Sequence, residues 1–284
     1  MNSITTLFSA VTLTFVVATS APAQSGVTRY VRYELAGRTA HGILEQNTIH
    51  ELRGDLFGTL QRTGTTVPLV QARLLSPVQP SKVIAVGLNY RSHLGERPVA
   101  AYPGLFAKYP TSIVGPNDDI VKPDDANNLH YEGELVLVIG KQAKDVPVER
   151  ALEYVFGVTA GNDMSERDWQ RDDLQWWRAK GSDTFGPIGP VIARGLNYND
   201  LLLTTRVNGE VRQQERTRDL IFNVQTIVSY VSRYVTLLPG DVIFTGTPQT
   251  TRAVQAGDVV EIEVEGVGVL RNKVVAKARR PVGQ

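Results

Sequence analysis

The stretch Tyr131-Glu132-Gly133-Glu134-Leu135-Val136-Leu137-Val138-Ile139-Gly140 sets two acidic side chains, one residue apart, at the mouth of an apolar run that ends in glycine. Such a run, rich in β-branched residues, predicts a strand buried on both faces. Side chains alternate along a strand, so Glu132 and Glu134 share a face with Val136 and Val138. Two carboxylates at the edge of a low-dielectric interior are costly, or take up a proton, unless a cation sits between them. A metal ion is the simplest such cation. Taken alone, however, Glu-x-Glu carries little weight, because charged pairs at strand ends are usually solvated.

A third carboxylate stands in an equivalent place. Phe156 to Ala160 predicts another strand, preceded by a short helix from Val148 to Val155, and it runs into Gly161-Asn162-Asp163. Arg167 and Gln170 follow Asp163 by four and seven positions and share a face if a helix begins near Ser165. The chain has no cysteine, and its four histidines, His41, His50, His93 and His130, fall at no zinc-motif spacing. Three carboxylates without sulfur suit a hard divalent ion, Mg2+ or Mn2+, with coordination positions open to water or substrate.

Outward from these segments, 284 residues suffice for one large domain and a small one. Residues 27–76 show short alternating segments broken at Ala36-Gly37 and Gln46-Asn47, which predicts a small antiparallel β unit. Pro77 and Pro80 mark a linker, and a catalytic domain is expected over 80–280. Within it a strand at 82–87 runs into a polar loop over 88–104. Leu220, Val224, Ile227, Val228, Val231 and Val235 recur at helical spacing until Pro239-Gly240, and strands are predicted at 241–245, 259–265 and 268–275. The fold class is α+β and strand-rich. Thirty basic against 29 acidic residues leave no strong field, which argues against nucleic acid and for a small-molecule partner. The first 24 residues carry no Lys or Arg, are apolar from Leu7 to Val17, and end near Ala21-Pro22-Ala23. They read as a signal peptide, with the mature protein periplasmic or secreted and not inserted in a membrane; the absent basic residues leave a cytoplasmic location as the alternative.

Six collinear blocks resemble the fumarylacetoacetate hydrolase family: Val86-Gly87-Leu88-Asn89-Tyr90-Arg91-Ser92-His93, Tyr131-Glu132-Gly133-Glu134, Gly161-Asn162-Asp163-Met164-Ser165-Glu166-Arg167-Asp168, Lys180-Gly181-Ser182-Asp183-Thr184-Phe185, Val207-Asn208-Gly209-Glu210 and Thr245-Gly246-Thr247-Pro248. The resemblance implies a mixed β-roll catalytic domain, a divalent ion and a homodimer. It implies that Glu132, Glu134 and Asp163 are metal ligands, that Arg167, Gln170 and Thr247 contact substrate, and that Lys180 stands at the reacting carbon. There an ammonium would oppose developing negative charge. It also implies that His93 and Glu96 form a lid dyad in which the glutamate orients the imidazole, with Gly95 and Gly104 as hinges. On spacing alone, His-x-x-Glu is a solvated helical face. Trp169, Trp176 and Trp177 read as wall, His130 as support for the metal motif, and His41 and His50 as structural. One departure stands out: Gln249-Thr250-Thr251-Arg252 replaces the glycine-containing turn common in the family.

The implied activity is cleavage of a C–C bond in a 2-oxo or 1,3-dioxo acid through a metal-bound enolate, by acylpyruvate-type hydrolysis or oxaloacetate-type decarboxylation. Isomerisation of a 2-hydroxy-dienoate dioic acid is the enzymatic alternative. A metal-dependent keto-acid-binding protein is the non-catalytic one.

Overall fold

The computed structural model describes residues 26–278, so the segment read as a signal peptide lies outside the described residues. The chain begins with four antiparallel strands, β1 (Thr28–Leu35), β2 (Arg38–Glu45), β3 (Thr48–Gly54) and β4 (Leu60–Pro68). Its turns fall where expected: Ala36, Gly37 and Gln46 adopt left-handed φ of 50°, 77° and 53°. Then follow β5 (Val83–Gly87), the four-residue helix α1 (Arg91–Leu94), β6 (Gly104–Lys108), β7 (Asp119–Lys122), β8 (Gly133–Ile139) and β9 (Val155–Asn162). The helices α2 (Arg167–Asp172) and α3 (Trp177–Gly181) lead to β10 (Gly186–Arg194), β11 (Leu202–Val207) and β12 (Glu210–Arg216). After α4 (Val224–Tyr234) come β13 (Val242–Phe244), β14 (Val259–Val264) and β15 (Gly268–Ala276).

One large sheet runs β4-β3-β2-β1-β10-β9-β8-β13-β5-β6, and a second runs β12-β11-β14-β15-β7. Along these two orders the pairing is antiparallel except at β13–β5 and β15–β7, and the short segment Ile113–Val114 adds a third parallel pairing on β10, so both sheets are mixed. The amino-terminal strands do not stand apart, because Thr28 to Tyr30 pair with Ile192 to Arg194 and carry the sheet across the boundary.

Every residue of β8 is buried. Leu135, Leu137 and Ile139 join an apolar cluster that includes Val224, Ile227, Val228 and Val231 of α4, whereas Val136 and Val138 pack with Val83, Ile192 and Phe244 on the other face. The expectation of a strand buried on both sides is met, and Glu134 shares the Val136 face by alternation.

Three boundaries differ from expectation. The helix α4 starts at Val224 because the Asn223 side chain caps it, accepting from the Thr226 N–H at 3.0 Å, so Leu220 lies outside. The segment from Val148 to Tyr154 is 3-10, not α-helical. The polar loop at 88–104 contains α1, and the strand β6 follows it.

Candidate active site

Register builds the acidic cluster. Gly133 pairs with Asn162 and Glu134 with Gly161, and just beyond them the Asp163 N–H donates to the Glu132 carbonyl oxygen at 2.8 Å. Two neighbouring strands therefore end side by side and deliver three carboxylates to one place. One oxygen each from Glu132, Glu134 and Asp163 lie within 4.8 Å of one another, and the residues are only 4%, 1% and 1% exposed. Gly133 lies between the glutamates because a Cβ there would stand 2.0 Å from the Thr205 Oγ1.

Cationic side chains surround this cluster. The Lys180 Nζ, at the end of α3, donates to Glu132 Oε2 at 2.6 Å and to Asp163 Oδ2 at 2.8 Å. Arg167, at the start of α2, donates through NH2 to Glu132 Oε1 at 2.5 Å and through NH1 to Gln170 Oε1 at 2.7 Å. Lys108 was not anticipated from sequence: buried at the end of β6, its Nζ donates to Asp163 Oδ1 at 2.6 Å and to the Lys180 carbonyl oxygen. Among the described residues no ammonium pairs with Glu134. This side chain accepts the Gly246 N–H at 2.6 Å, on a loop where Gly246 takes φ +109°.

Electrostatics separate the carboxyls. Burial pushes Glu134 well above the usual carboxylate range, and the neighbouring Asp163 and Glu132 charges push the same way. Burial acts upward on Glu132 too, but Lys180, Arg167 and His93 outweigh it and hold this group low. For Lys180, burial is outweighed by Asp163 and Glu132, which raise it; for Lys108, burial prevails and lowers it. A buried carboxyl whose acidity is suppressed by two adjacent carboxylates is a group that a cation would ionise, and three oxygen donors without sulfur or nitrogen fit a hard divalent ion.

The cluster opens into a pocket of about 510 Å³ whose lining includes His93, Arg97, Phe106, His130, Arg167, Gln170, Trp176, Lys180, Thr247 and Thr251. The structure thus gathers Arg167, Gln170, Lys180, Thr247 and His93 around the carboxylates. The Thr247 hydroxyl is already engaged, donating to the Gly133 carbonyl oxygen at 2.9 Å and accepting from Gln213 Nε2 at 2.9 Å. Of the three tryptophans only Trp176 is pocket wall; Trp169 is buried and Trp177 is 60% exposed.

Glu96 is not brought to the site. The α1 helix stops at Leu94, Gly95 turns the chain with φ +65°, and Glu96 is exposed rather than one helical turn from His93. The imidazole has a different partner: His93 Nδ1 lies against the Gln249 carbonyl oxygen. A carbonyl only accepts, so the proton resides on Nδ1 and Nε2 keeps a free lone pair. Burial lowers the pKa of His93, which favours this neutral form. Gln249 takes φ +53°, so the segment that departs from the family turn still has a left-handed residue. His130 hydrogen-bonds Asn128 and Thr251, the latter a partner of Arg167, and so supports the arginine rather than the carboxylates.

Lys108 carried no local signal, because its partner Asp163 lies 55 positions further along the chain. Asn128 and Gln249 likewise meet Asp168 and His93 across 40 and 156 positions.

Comparison with known proteins places this geometry. Residues 82–275 match the family model described as fumarylacetoacetate (FAA) hydrolase C-terminal, and residues 28–77 match one described as Rv2993c-like, N-terminal. The structure of 5-carboxymethyl-2-hydroxymuconate delta-isomerase from Mycobacterium smegmatis is similar with a TM-score of 0.83 at 45% identity, over 88% of this chain and 100% of that one. The mitochondrial oxaloacetate tautomerase FAHD2A of Bos taurus is 39% identical over 224 residues, 74% of this chain and 71% of the relative. Maleylpyruvate hydrolase from Sphingobium sp. SYK-6, solved in complex with manganese(II) ion and pyruvate, gives a TM-score of 0.75 at 28% identity, over 88% of this chain and 100% of that one.

Proposed function

This chain belongs to the fumarylacetoacetate hydrolase family, and from that premise we propose that it moves a proton at the carbon beside the keto group of a 2-oxo acid, in a site that holds Mg2+ or Mn2+ on Glu132, Glu134 and Asp163. The observation that carries this reading is the contact of His93 Nδ1 with the Gln249 carbonyl oxygen, which assigns the proton to Nδ1 and leaves Nε2 as a base on a residue of the pocket wall. When bound, the ion supplies Lewis acidity to the 2-oxo and carboxylate oxygens of the substrate.

The protein groups do the rest. Arg167 and Gln170 anchor the substrate carboxylate. His93 Nε2 takes a proton from the adjacent carbon, the bonding electrons move onto the 2-oxo oxygen, and the imidazolium returns the proton at oxygen or at a conjugated carbon. Two of the three Lys180 N–H groups engage Glu132 and Asp163; the third is available to the charge that develops on substrate oxygen. Oxaloacetate-type tautomerisation and dienoate isomerisation both need only these steps, and both activities are named among the relatives.

Cleavage of a C–C bond is the second reading. It is favoured by the likeness to maleylpyruvate hydrolase and by the Gly95 turn, a hinge about which Glu96 would swing towards His93 to activate water. The two readings separate in one experiment. Protein supplied with Mn2+ is incubated in D2O with oxaloacetate, an acylpyruvate or a dienedioic acid and followed by NMR. Deuterium exchange or double-bond migration without fragments supports proton transfer; pyruvate or carbon dioxide supports cleavage. No change in any substrate removes both. We also infer a homodimer, to be checked by sedimentation equilibrium.

A further inference from the structure

The pocket wall contains a hydrogen-bonded chain whose donor directions are fixed from one end. Asp168 Oδ1 only accepts, so the Asn128 Nδ2 group that lies 3.3 Å from it donates, and the Asn128 amide orientation is set. The Asn128 Oδ1 therefore accepts from His130 Nε2 at 2.8 Å, which places that imidazole's proton on Nε2. His130 Nδ1 is then an acceptor, and the Thr251 hydroxyl 2.8 Å away donates to it. With its proton committed, the Thr251 oxygen has lone pairs only for its other neighbour, and it accepts from Arg167 NH2 at 2.9 Å. The other NH2 proton goes to Glu132, and one NH1 proton to Gln170. Of the five N–H groups of a guanidinium these contacts use three and fix its plane, leaving the Nε–H and one NH1 N–H unengaged by these partners.

We propose that Asn128, His130 and Thr251 are positioning residues that lock the Arg167 guanidinium for substrate. Thr251 is the critical joint, because its hydroxyl alone connects the imidazole to the arginine. If the hydroxyl were free to point at Arg167, donor would face donor; the chain anchored on Asp168 removes that alternative. Thr251 belongs to the segment that departs from the family turn, so in this protein the departure itself helps to orient the substrate anchor. The inference rests on Arg167 being that anchor.

Thr251→Val keeps shape and removes the hydroxyl; Thr251→Ser keeps the hydroxyl. In Mn2+-saturated protein the valine variant should bind pyruvate about tenfold more weakly by calorimetry, and raise KM for the turned-over 2-oxo acid by a similar factor with kcat changed less than about twofold. The serine variant should lie within about twofold of the parent. Nitrogen-15 NMR of the metal-free protein provides a readout independent of activity. His130, assigned with His130→Phe, should show an unprotonated Nδ1 and a protonated Nε2, and its Nδ1 signal should move in the valine variant but not in the serine variant. A valine variant with parental KM and pyruvate affinity, a serine variant as impaired as the valine one, or a protonated His130 Nδ1 overturns the proposal. Parent protein that neither binds pyruvate nor acts on any 2-oxo acid defeats the functional reading instead, and the tautomer still decides whether the chain exists.

Discussion

Asp163 receives hydrogen bonds from two buried ammonium groups, Lys108 and Lys180, so its carboxylate has little rotational freedom before any ion arrives. Lys108→Met should therefore weaken Mn2+ binding by about 10- to 100-fold while leaving the three carboxylates in place. Calorimetric titration with Mn2+ checks this, and unchanged affinity would show that Lys108 has no part in holding Asp163. His93→Asn should lower kcat by about 100-fold or more, because it removes the free Nε2 lone pair; parental turnover in steady-state assays would end its candidacy as the base. At this scale the sequence was informative where chemistry repeats within a few positions. Glu132 and Glu134 are two apart, and Asp163 closes a strand of its own. It was silent where a side chain meets its partner only through tertiary structure, as with Lys108, and it did not disclose that the Gly95 turn ends the helix between His93 and Glu96.

Among the elements, the segment entering β13 is joined to the segment entering β5 by a buried carboxylate. Asp241 accepts from the Ser81 N–H at 3.2 Å, the Ser81 hydroxyl at 2.7 Å, the Lys82 N–H at 3.1 Å and the Leu238 N–H at 2.7 Å, and pairs with the Lys82 ammonium. Asp241→Ala leaves these donors without a partner at the edge of the core, and should cost about 3 kcal/mol, seen in calorimetry as a Tm lower by roughly 6–12 °C. A loss below about 1 kcal/mol would show that water replaces the carboxylate there. In the amino-terminal strands, hydrogen bonds from Arg38 and Tyr33 hold Glu51 below the usual carboxylate range. A depressed folded-state pKa stabilises above the unfolded carboxyl value, about 4.3, and the gain is lost as pH falls through the depressed value. Glu51→Gln should cost a few tenths to about 1 kcal/mol at pH 7, since Arg38 is solvent-screened. The Tm gap to the parent should close below about pH 4; a gap that stays constant with pH contradicts the assignment. The strand elements were legible because period-two patterns with Gly and Asn turns are local. The start of α4 was misjudged because Leu220 keeps the helical spacing, whereas the Asn223 cap sets where the hydrogen bonding begins.

For the whole molecule, the amino-terminal strands and the catalytic strands form one sheet through the β1–β10 pairing, a join that no pattern within either segment announces. Among the described residues no helix is long and apolar enough to cross a membrane. We propose that the leading segment is removed on export; mass spectrometry of protein from a secreting host should find a chain starting near Gln24, and an intact Met1 would contradict it. We propose that the facing ends of β8 and β9 hold one divalent ion on Glu132, Glu134 and Asp163. Crystals grown with Mn2+ and measured at the manganese absorption edge should show a single anomalous peak bounded by those three carboxylates and absent in Asp163→Ala crystals. No peak there, or a peak held by other side chains, contradicts it.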